Sequence, residues 1–159
     1  MKRWWIFLLI AVVVVVLDQI SKSWIRSHLA LGESFPEIGR LLIIHLQNTG
    51  SAFGLFTGQG FLLTIIALVG LVIILMFFRY LSQSSLLGTI ALGLVFGGAI
   101  GNLTDRLRIG AVTDFIYIRL WNDFYWPAFN VADSALSVGI IALLIFIIMG
   151  IIKGEDNSS

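Results

Sequence analysis

Four long apolar runs constrain this chain more than any other feature. They cover about residues 4–24, 61–78, 86–103 and 135–152, and the last run contains no charged side chain. A helix of about 20 mainly apolar residues crosses a bilayer core of about 30 Å. A segment inside the bilayer must satisfy its own backbone hydrogen bonds, so these runs predict helices that span a membrane.

The composition supports this interpretation. Of the 159 residues, 58% are hydrophobic and only 12% are charged, which is far too apolar for a soluble domain of this length. We expect an integral membrane protein with a single domain, residues 1–159. Lys2 and Arg3 precede the first run, but no small-residue cleavage site follows it, so this run is expected to be retained as a helix.

The residues that are scarce disfavour several classes of function. A net charge of +1 gives no indication of a nucleic-acid partner. Cysteine is absent, which removes thiol nucleophiles, disulfides and thiolate metal ligands. His28 and His45 lie far apart without a helix-spaced partner, so we expect ordinary interfacial residues rather than metal ligands. No metal and no cofactor are expected.

The distribution of basic residues predicts an orientation. Four crossings would place both termini on one side. The termini and the shortest connection carry Lys2, Arg3, Arg79 and Lys153, whereas the two longer connections carry Lys22, Arg26, Arg40, Arg106, Arg108 and Arg119. The raw number favours the longer connections, but the density per residue of loop is higher at the termini and the short connection. We therefore expect cytoplasmic termini, with the long connections, about residues 26–60 and 104–134, outside.

Both long connections contain patterns typical of β-strands. The first includes RLLIIHLQN, and the second includes DFIYIRLW, in which apolar side chains alternate. The second also carries aromatic residues that suit the headgroup level of a membrane, namely Trp121, Phe124, Tyr125, Trp126 and Phe129. The expected fold is an all-α membrane protein, a four-transmembrane-helix bundle with a small extracytoplasmic β-like cradle and a surface loop or helix.

Aspartates in or near the outer half of this bundle are the first candidates for function: Asp18, Asp105, Asp114, Asp123 and Asp133. A charge at membrane depth costs about 2.5–3.5 kcal/mol, so each requires a partner or a function. Asp18 precedes Lys22 by one helical turn and can form a structural ion pair with it. Asp105 directly precedes Arg106, which could hold it ionised or orient it, and we expect this pair to serve structure and substrate positioning rather than proton transfer. Asp123 is expected to be a solvated loop residue.

Asp114 and Asp133 differ because their neighbours are apolar and neither has a basic residue adjacent or one helical turn away. If two such carboxyl groups face each other, one pKa rises and the pair holds a shared proton. One carboxylate can then activate a water molecule while its protonated partner polarises a carbonyl group, as in aspartic proteases. The alternative is that Asp114 caps a strand turn and Asp133 caps the last helix.

Glycines and asparagines near these acids have structural and functional interpretations. Gly93, Gly97 and Gly101 share one helix face, which predicts close helix packing. Three asparagines lie near bundle ends or outer connections: Asn48, Asn102 and Asn130. Carboxamides can hold the backbone of an extended substrate, although they can also satisfy the backbone of a loop.

Five motifs occur in order along the chain. They are DQISK (18–22), NTGSAFG (48–54), GGAIGNLTDR (97–106), VTDF (112–115) and FNVAD (129–133). Together with the four-helix hydropathy, their order and spacing resemble the bacterial lipoprotein signal peptidases, or type II signal peptidases, across essentially the whole chain.

This resemblance implies an aspartic endopeptidase of the bacterial inner membrane that removes the signal peptide from diacylglyceryl-modified prolipoproteins, cutting just before the lipidated cysteine. It implies that Asp114 and Asp133 form the catalytic dyad. The implied substrate-binding or supporting residues are Asn48, Gly50, Asn102, Arg106, Asn130, Asp18, Lys22 and Asp105. Other implied partners are membrane lipid and globomycin-like cyclic peptide inhibitors. The first outer connection is expected to cradle the substrate, and part of the second to form a flap.

Two other classes of function remain open on the residues alone. Paired acids within a membrane also occur in small transporters and channel subunits, although the two halves of this chain show no inverted repeat. A non-catalytic membrane scaffold would depend on the glycine face instead. In that protein Asp114 and Asp133 would be dispensable.

Overall fold

The computed structural model describes residues 2–50, 60–121 and 124–156. Over these ranges the helices are α1 (Lys2–His28), α2 (Gly60–Ser84), α3 (Leu86–Ile109) and α4 (Val131–Asp156). The strands are β1 (Ser34–Phe35), β2 (Leu41–Asn48), β3 (Val112–Trp121) and β4 (Phe124–Phe129). The prediction of an all-α protein is therefore corrected, because the strand-like runs of the two long connections join into one sheet.

Three of the helices are long and apolar enough to cross a membrane, namely Arg3–His28, Leu86–Ile109 and Val131–Ile152. A shorter apolar helix, Gly60–Met76, lies within α2. The helices are longer than the apolar runs because polar residues form additional helical turns at the ends of these runs. In α3 the helix continues to Ile109 and stops at Gly110, whose φ of 74° is left-handed and whose backbone N–H donates to the Arg106 carbonyl oxygen.

Helix α3 packs against each of the other three helices. The glycine face predicted from the sequence is confirmed at its contact with α1. A Cβ atom on Gly97 would lie 2.8 Å from the Ala11 carbonyl oxygen, so only glycine permits this approach. Gly98 packs in the same way against α4, where a Cβ atom would lie 2.5 Å from the Ala132 carbonyl oxygen. The middle of α1 and the start of α4 are therefore held close to α3.

The antiparallel sheet has the strand order β1-β2-β3-β4. Strands β2 and β3 are separated in sequence by α2 and α3, yet they pair so that Leu46 lies opposite Asp114 and Asn48 opposite Val112. Strand β4 pairs with β3 and leads directly into α4. The sheet thus brings the end of β2, the start of β3 and the start of α4 to one place.

Candidate active site

The start of α4 is held by a reciprocal capping arrangement. The Asp133 backbone N–H donates to Oδ1 of Asn130 at 2.9 Å, and the Asn130 backbone N–H donates to Oδ2 of Asp133 at 3.2 Å. This is the capping-box geometry, with an acid in the first turn. Oδ1 of Asp133 remains outside the cap and accepts a hydrogen bond of 2.7 Å from Nδ2 of Asn102. Asp133 is therefore both a helix cap, as the alternative interpretation required, and part of a larger polar cluster.

Asp114 lies inside β3 and is almost completely buried. Its Oδ1 accepts a 2.7 Å hydrogen bond from Nδ2 of Asn130, and its Oδ2 accepts a 3.1 Å bond from Nδ2 of Asn48. The alternative that Asp114 caps a strand turn is wrong, because its carboxylate is held by side chains from two other segments. Asn48 in turn accepts from the Gly50 backbone N–H at 2.9 Å.

Asn130 connects the two aspartates. Its side chain donates to Asp114 while its backbone N–H donates to Asp133, and it is fully buried. Nδ2 of Asn130 also lies 3.2 Å from Oδ1 of Asn102, whose own amide nitrogen donates to Asp133. The asparagines thus form a rigid frame around both carboxyl groups, which fixes their relative orientation.

Burial, followed by the charge of Asp133, raises the pKa of Asp114 from 3.8 to about 7. Hydrogen bonds from Asn48 and Asn130 and the charge of Lys22 act in the opposite direction. A carboxyl group with this pKa can hold a proton near neutral pH. The charge of Asp133 contributes to this shift, so the two carboxyl groups interact electrostatically.

A buried ionic network lies behind the asparagine frame. Nζ of Lys22 lies 2.9 Å from Oδ2 of Asp18, 3.7 Å from Oδ2 of Asp105 and 2.9 Å from Oδ1 of Asn102. The lysine and both aspartates are essentially inaccessible to solvent. Oδ1 of Asp18 accepts from the Ala132 backbone N–H at 3.0 Å, which ties α1 to the first turn of α4. The predicted Asp18–Lys22 ion pair is confirmed, and it supports the frame from behind.

Thr113, the residue before Asp114, is clamped by this network. Its backbone N–H donates to Oδ2 of Asp105 at 2.9 Å, and its hydroxyl accepts from a guanidinium nitrogen of Arg26 at 2.8 Å. The same guanidinium nitrogen lies 3.4 Å from Oδ1 of Asp105. The clamp fixes the start of β3 against α1 and α3, and so fixes the position of Asp114.

A cavity of about 740 Å³ opens in front of the two carboxyl groups. Its polar end is formed by Asn48, Gly50, Asn102, Arg106, Asp114 and Asp133. The rest of its wall is mainly apolar and comes from α2, α3, β4 and α4, including Leu63, Ile66, Ala99, Phe129 and Leu136. Arg106 interacts electrostatically with both Asp133 and Asp114. The cavity combines an acid pair, amide donors and one cation with a long apolar surface.

The sequence matches the family described as signal peptidase (SPase) II over residues 10–149. The chain belongs to the signal peptidase II family. It is 38% identical over 164 residues to a lipoprotein signal peptidase of Dehalococcoides mccartyi, with 100% of this chain and 99% of the relative covered. It is 40% identical over 156 residues to that of Bacillus velezensis, with 96% and 99% covered.

Two solved bacterial membrane enzymes, both obtained by the in meso method, have the same fold. One superposes with a TM-score of 0.82 at 36% sequence identity and covers 96% of this chain and 91% of its own. The other has a TM-score of 0.78 at 38% identity, with 89% and 91% covered. This member of the signal peptidase II family is therefore a membrane-embedded peptidase.

The structure brings together all the site residues predicted for this family member. Those lining the cavity are Asn48, Gly50, Asn102, Arg106, Asp114 and Asp133, and those behind it are Asp18, Lys22, Asp105 and Asn130. Arg106 interacts electrostatically with Asp105, as predicted, but it does not form the ion pairs of that carboxylate. Consecutive residues of a helix do not face each other, so Asp105 pairs with Arg26 and Lys22 while Arg106 lines the cavity.

The sequence shows no basic residue next to either dyad acid along the chain, but this does not describe the charges around the dyad in the folded protein. Lys22 and Arg106 act on these acids from α1 and α3, at a distance in sequence that local patterns do not reveal. The expected solvated loop residue Asp123, and the part of NTGSAFG beyond Gly50, lie outside the described residues.

Three supporting residues escaped the sequence interpretation: Gln19, Arg26 and Thr113. A signal for Arg26 existed, because Asp18, Lys22 and Arg26 follow at i, i+4 and i+8 and so lie on one helix face. Nε2 of Gln19 lies 3.1 Å from Oδ2 of Asp18 and 3.3 Å from Oδ1 of Asp105. Thr113 could be found only from its contacts with Asp105 and Arg26 in the folded protein.

The two histidines serve structure among the described residues. The His28 ring stacks on Trp24 at the end of α1. His45 is buried in β2, so its prediction as an interfacial residue is wrong. Its Nδ1 lies 2.9 Å from the Leu29 carbonyl oxygen, and this contact ties the sheet to the end of α1.

Proposed function

We propose that this chain removes the signal peptide from diacylglyceryl-modified prolipoproteins by aspartic catalysis, cutting just before the lipidated cysteine. The observation that carries the proposal is the pair Asp114 and Asp133, held by shared asparagines at the polar end of a largely apolar cavity. The names of the relatives, lipoprotein signal peptidases, support the choice of substrate.

In the proposed reaction the two carboxyl groups share one proton. The ionised carboxylate takes a proton from a water molecule as the water oxygen attacks the scissile carbonyl carbon. The protonated partner donates its hydrogen to the carbonyl oxygen, which gives a neutral tetrahedral intermediate. When this intermediate collapses, the C–N bond breaks, a carboxyl proton passes to the departing nitrogen, and one hydroxyl of the intermediate returns its proton to the ionised carboxylate. The pair is left with one proton, so the cycle balances.

The environment of Asp114 suits this chemistry. Burial and the charge of Asp133 raise the pKa of Asp114 to about 7, which allows one proton to stay on the pair at neutral pH. The asparagine frame prevents either carboxyl group from turning away, so little reorganisation is needed in the transition state. Both acids border the same cavity and can contact one substrate bond.

The remaining cavity residues are assigned to substrate binding. The Asn48 carboxamide and the Gly50 backbone lie at the polar end, where an extended peptide backbone needs donors and acceptors. Arg106 provides a cation beside the dyad. The apolar wall contributed by Leu63, Ile66 and Leu136 suits the signal-peptide helix and the acyl chains.

We assign all four helices to the membrane, including the apolar part of α2, Gly60–Met76. Both termini then lie in the cytoplasm of a bacterial cell, with the dyad near the outer surface of the inner membrane. The density of basic residues at the termini and the short connection supports this orientation. A globomycin-like cyclic peptide would occupy the cavity as a mimic of the substrate.

The substrate claim is tested with the purified full chain and two forms of one prolipoprotein, with and without diacylglycerol on the lipobox cysteine. Mass spectrometry of the products should locate the new N-terminus at the lipidated cysteine, and the form without lipid should be cleaved poorly. Equal cleavage of both forms, or a cut elsewhere, would contradict the proposed specificity.

The same preparation separates the peptidase from its rivals. A transporter or channel subunit should conduct protons or cations across reconstituted vesicles without cleaving the peptide. A scaffold should do neither. Cleavage without flux is the result expected here, and flux without cleavage would remove the peptidase proposal.

A further inference from the structure

A second concave surface lies between α1 and α3 and shares no lining residue with the dyad cavity. This groove has a volume of about 390 Å³. Its apolar part is formed by Val15, Val16 and Ile20, and Ile20 is 63% exposed. In a membrane-embedded chain, an exposed apolar surface on a spanning helix faces lipid.

The other end of the groove is cationic. It is lined by Ser23, Arg26 and Arg108. Arg26 and Arg108 lie in the last turns of α1 and α3, on the end of the bundle that carries the sheet. Headgroup phosphates lie at the level where spanning helices end, and arginine binds phosphate through several N–H donors.

Charges in this region balance except at Arg108. The two negative charges of Asp18 and Asp105 are balanced by the two positive charges of Lys22 and Arg26, with which they form ion pairs. Arg108 forms no ion pair or hydrogen bond within the part of the chain that the structure describes. One positive charge is therefore left at the mouth of a groove that faces lipid.

Arg26 also has N–H groups that can donate to a ligand in the groove. A single guanidinium nitrogen of Arg26 makes its bonds to Asp105 and Thr113. The side chain is 24% exposed, and the other guanidinium N–H groups have no partner among the described residues. Arg26 can therefore donate to an anion between itself and Arg108 without leaving the clamp on Thr113.

The length of the groove fits a lipid chain. Arg26 lies eleven positions after Val15 in α1, which corresponds to about 16 Å along a helix. Half of a hydrocarbon core of about 30 Å is about 15 Å. From its cationic end to Val15 the groove thus extends over about one leaflet.

We propose that this groove binds a phospholipid whose headgroup carries a net negative charge, such as a phosphatidylglycerol. The phosphate lies between Arg26 and Arg108 and accepts from the Ser23 hydroxyl. One acyl chain follows Ile20 and Val16 toward Val15. The lipid neutralises the unbalanced charge of Arg108 and covers the contact between α1 and α3. This proposal is independent of the peptidase reaction.

The test reconstitutes the full chain in nanodiscs with equal amounts of phosphatidylglycerol and phosphatidylcholine, followed by native mass spectrometry of the lipids retained. Wild type should retain phosphatidylglycerol in preference. Arg108→Gln should reduce that preference about five-fold, the effect of one surface charge on anionic lipid. Arg108→Lys keeps the charge and should retain most of the preference.

The matched control is Arg40→Gln, which removes an exposed arginine near the sheet but outside the groove. It should leave the lipid preference unchanged. The proposal is overturned if wild type shows no preference, if Arg108→Gln equals wild type, or if Arg40→Gln loses as much. Displacement of the retained lipid by soluble glycerol phosphate would also overturn it, since the groove would then be a simple anion site.

Discussion

Lys22 gives the most demanding test of the buried network. Lys22→Met removes the ammonium group and leaves the carboxylates of Asp18 and Asp105 facing the single guanidinium of Arg26. Lys22 and Asp18 are fully buried, so water cannot replace the lost partner. Removing one member of a buried ion pair costs about 3–5 kcal/mol. We expect the free energy of unfolding to fall by about that amount, measured by SDS titration of the full chain in micelles with circular dichroism.

The double variant Asp18→Asn/Lys22→Met distinguishes charge imbalance from lost packing. It keeps the network neutral, because Asp105 and Arg26 remain paired. The asparagine can still accept from the Ala132 backbone N–H, as Asp18 does now. The double variant should therefore be clearly more stable than Lys22→Met alone. The reasoning is refuted if the single variant lies within about 1 kcal/mol of wild type, or if the double variant is no more stable than the single one.

Three further predictions concern the clamp, the titration of the dyad and the helix contact. Thr113→Val removes the hydroxyl that Arg26 binds, so kcat should fall by a larger factor than KM rises. Thr113→Ser keeps the hydroxyl and should retain turnover. Folding raises the pKa of Asp114 to about 7. The stability that the protonated Asp114 contributes is therefore present below its ordinary pKa and is lost as pH rises through 7. Asp114→Asn should flatten this pH dependence in unfolding curves recorded from pH 5 to 9. Gly97→Val should lower the free energy of unfolding by about 1–3 kcal/mol or more, since its Cβ would collide with the Ala11 carbonyl oxygen in the contact with α1.

The helices could be predicted from the sequence because hydropathy is a local property. The limits of each helix depended on features outside the apolar runs. The last helix begins at Val131 rather than near residue 135 because Asn130 and Asp133 cap it. The strand-like runs were also visible, but their assembly into one sheet was not, because β2 and β3 pair across two intervening helices.

The site was predictable as a set of residues but not as a set of contacts. Motif order identified Asp114, Asp133 and their asparagines through the family resemblance, whereas residue patterns alone left helix capping open. The structure shows that capping and membership of the cluster coexist in Asp133, because its two oxygens take different partners. The ion pairs of Asp105 with Lys22 and Arg26 were missed because they join α1 to α3, whereas an adjacent residue such as Arg106 points away from Asp105 on the helix.

The central claim is that Asp114 and Asp133 act as one unit. It is tested most directly by the cleavage rates of wild type, Asp114→Asn, Asp133→Asn and the double variant on a diacylglyceryl-modified prolipoprotein, with folding of each checked in detergent. If the two acids share one proton and one water molecule, each folded single variant should lose nearly all turnover and the double variant should be no slower. Near-normal turnover by either folded single variant would contradict the claim.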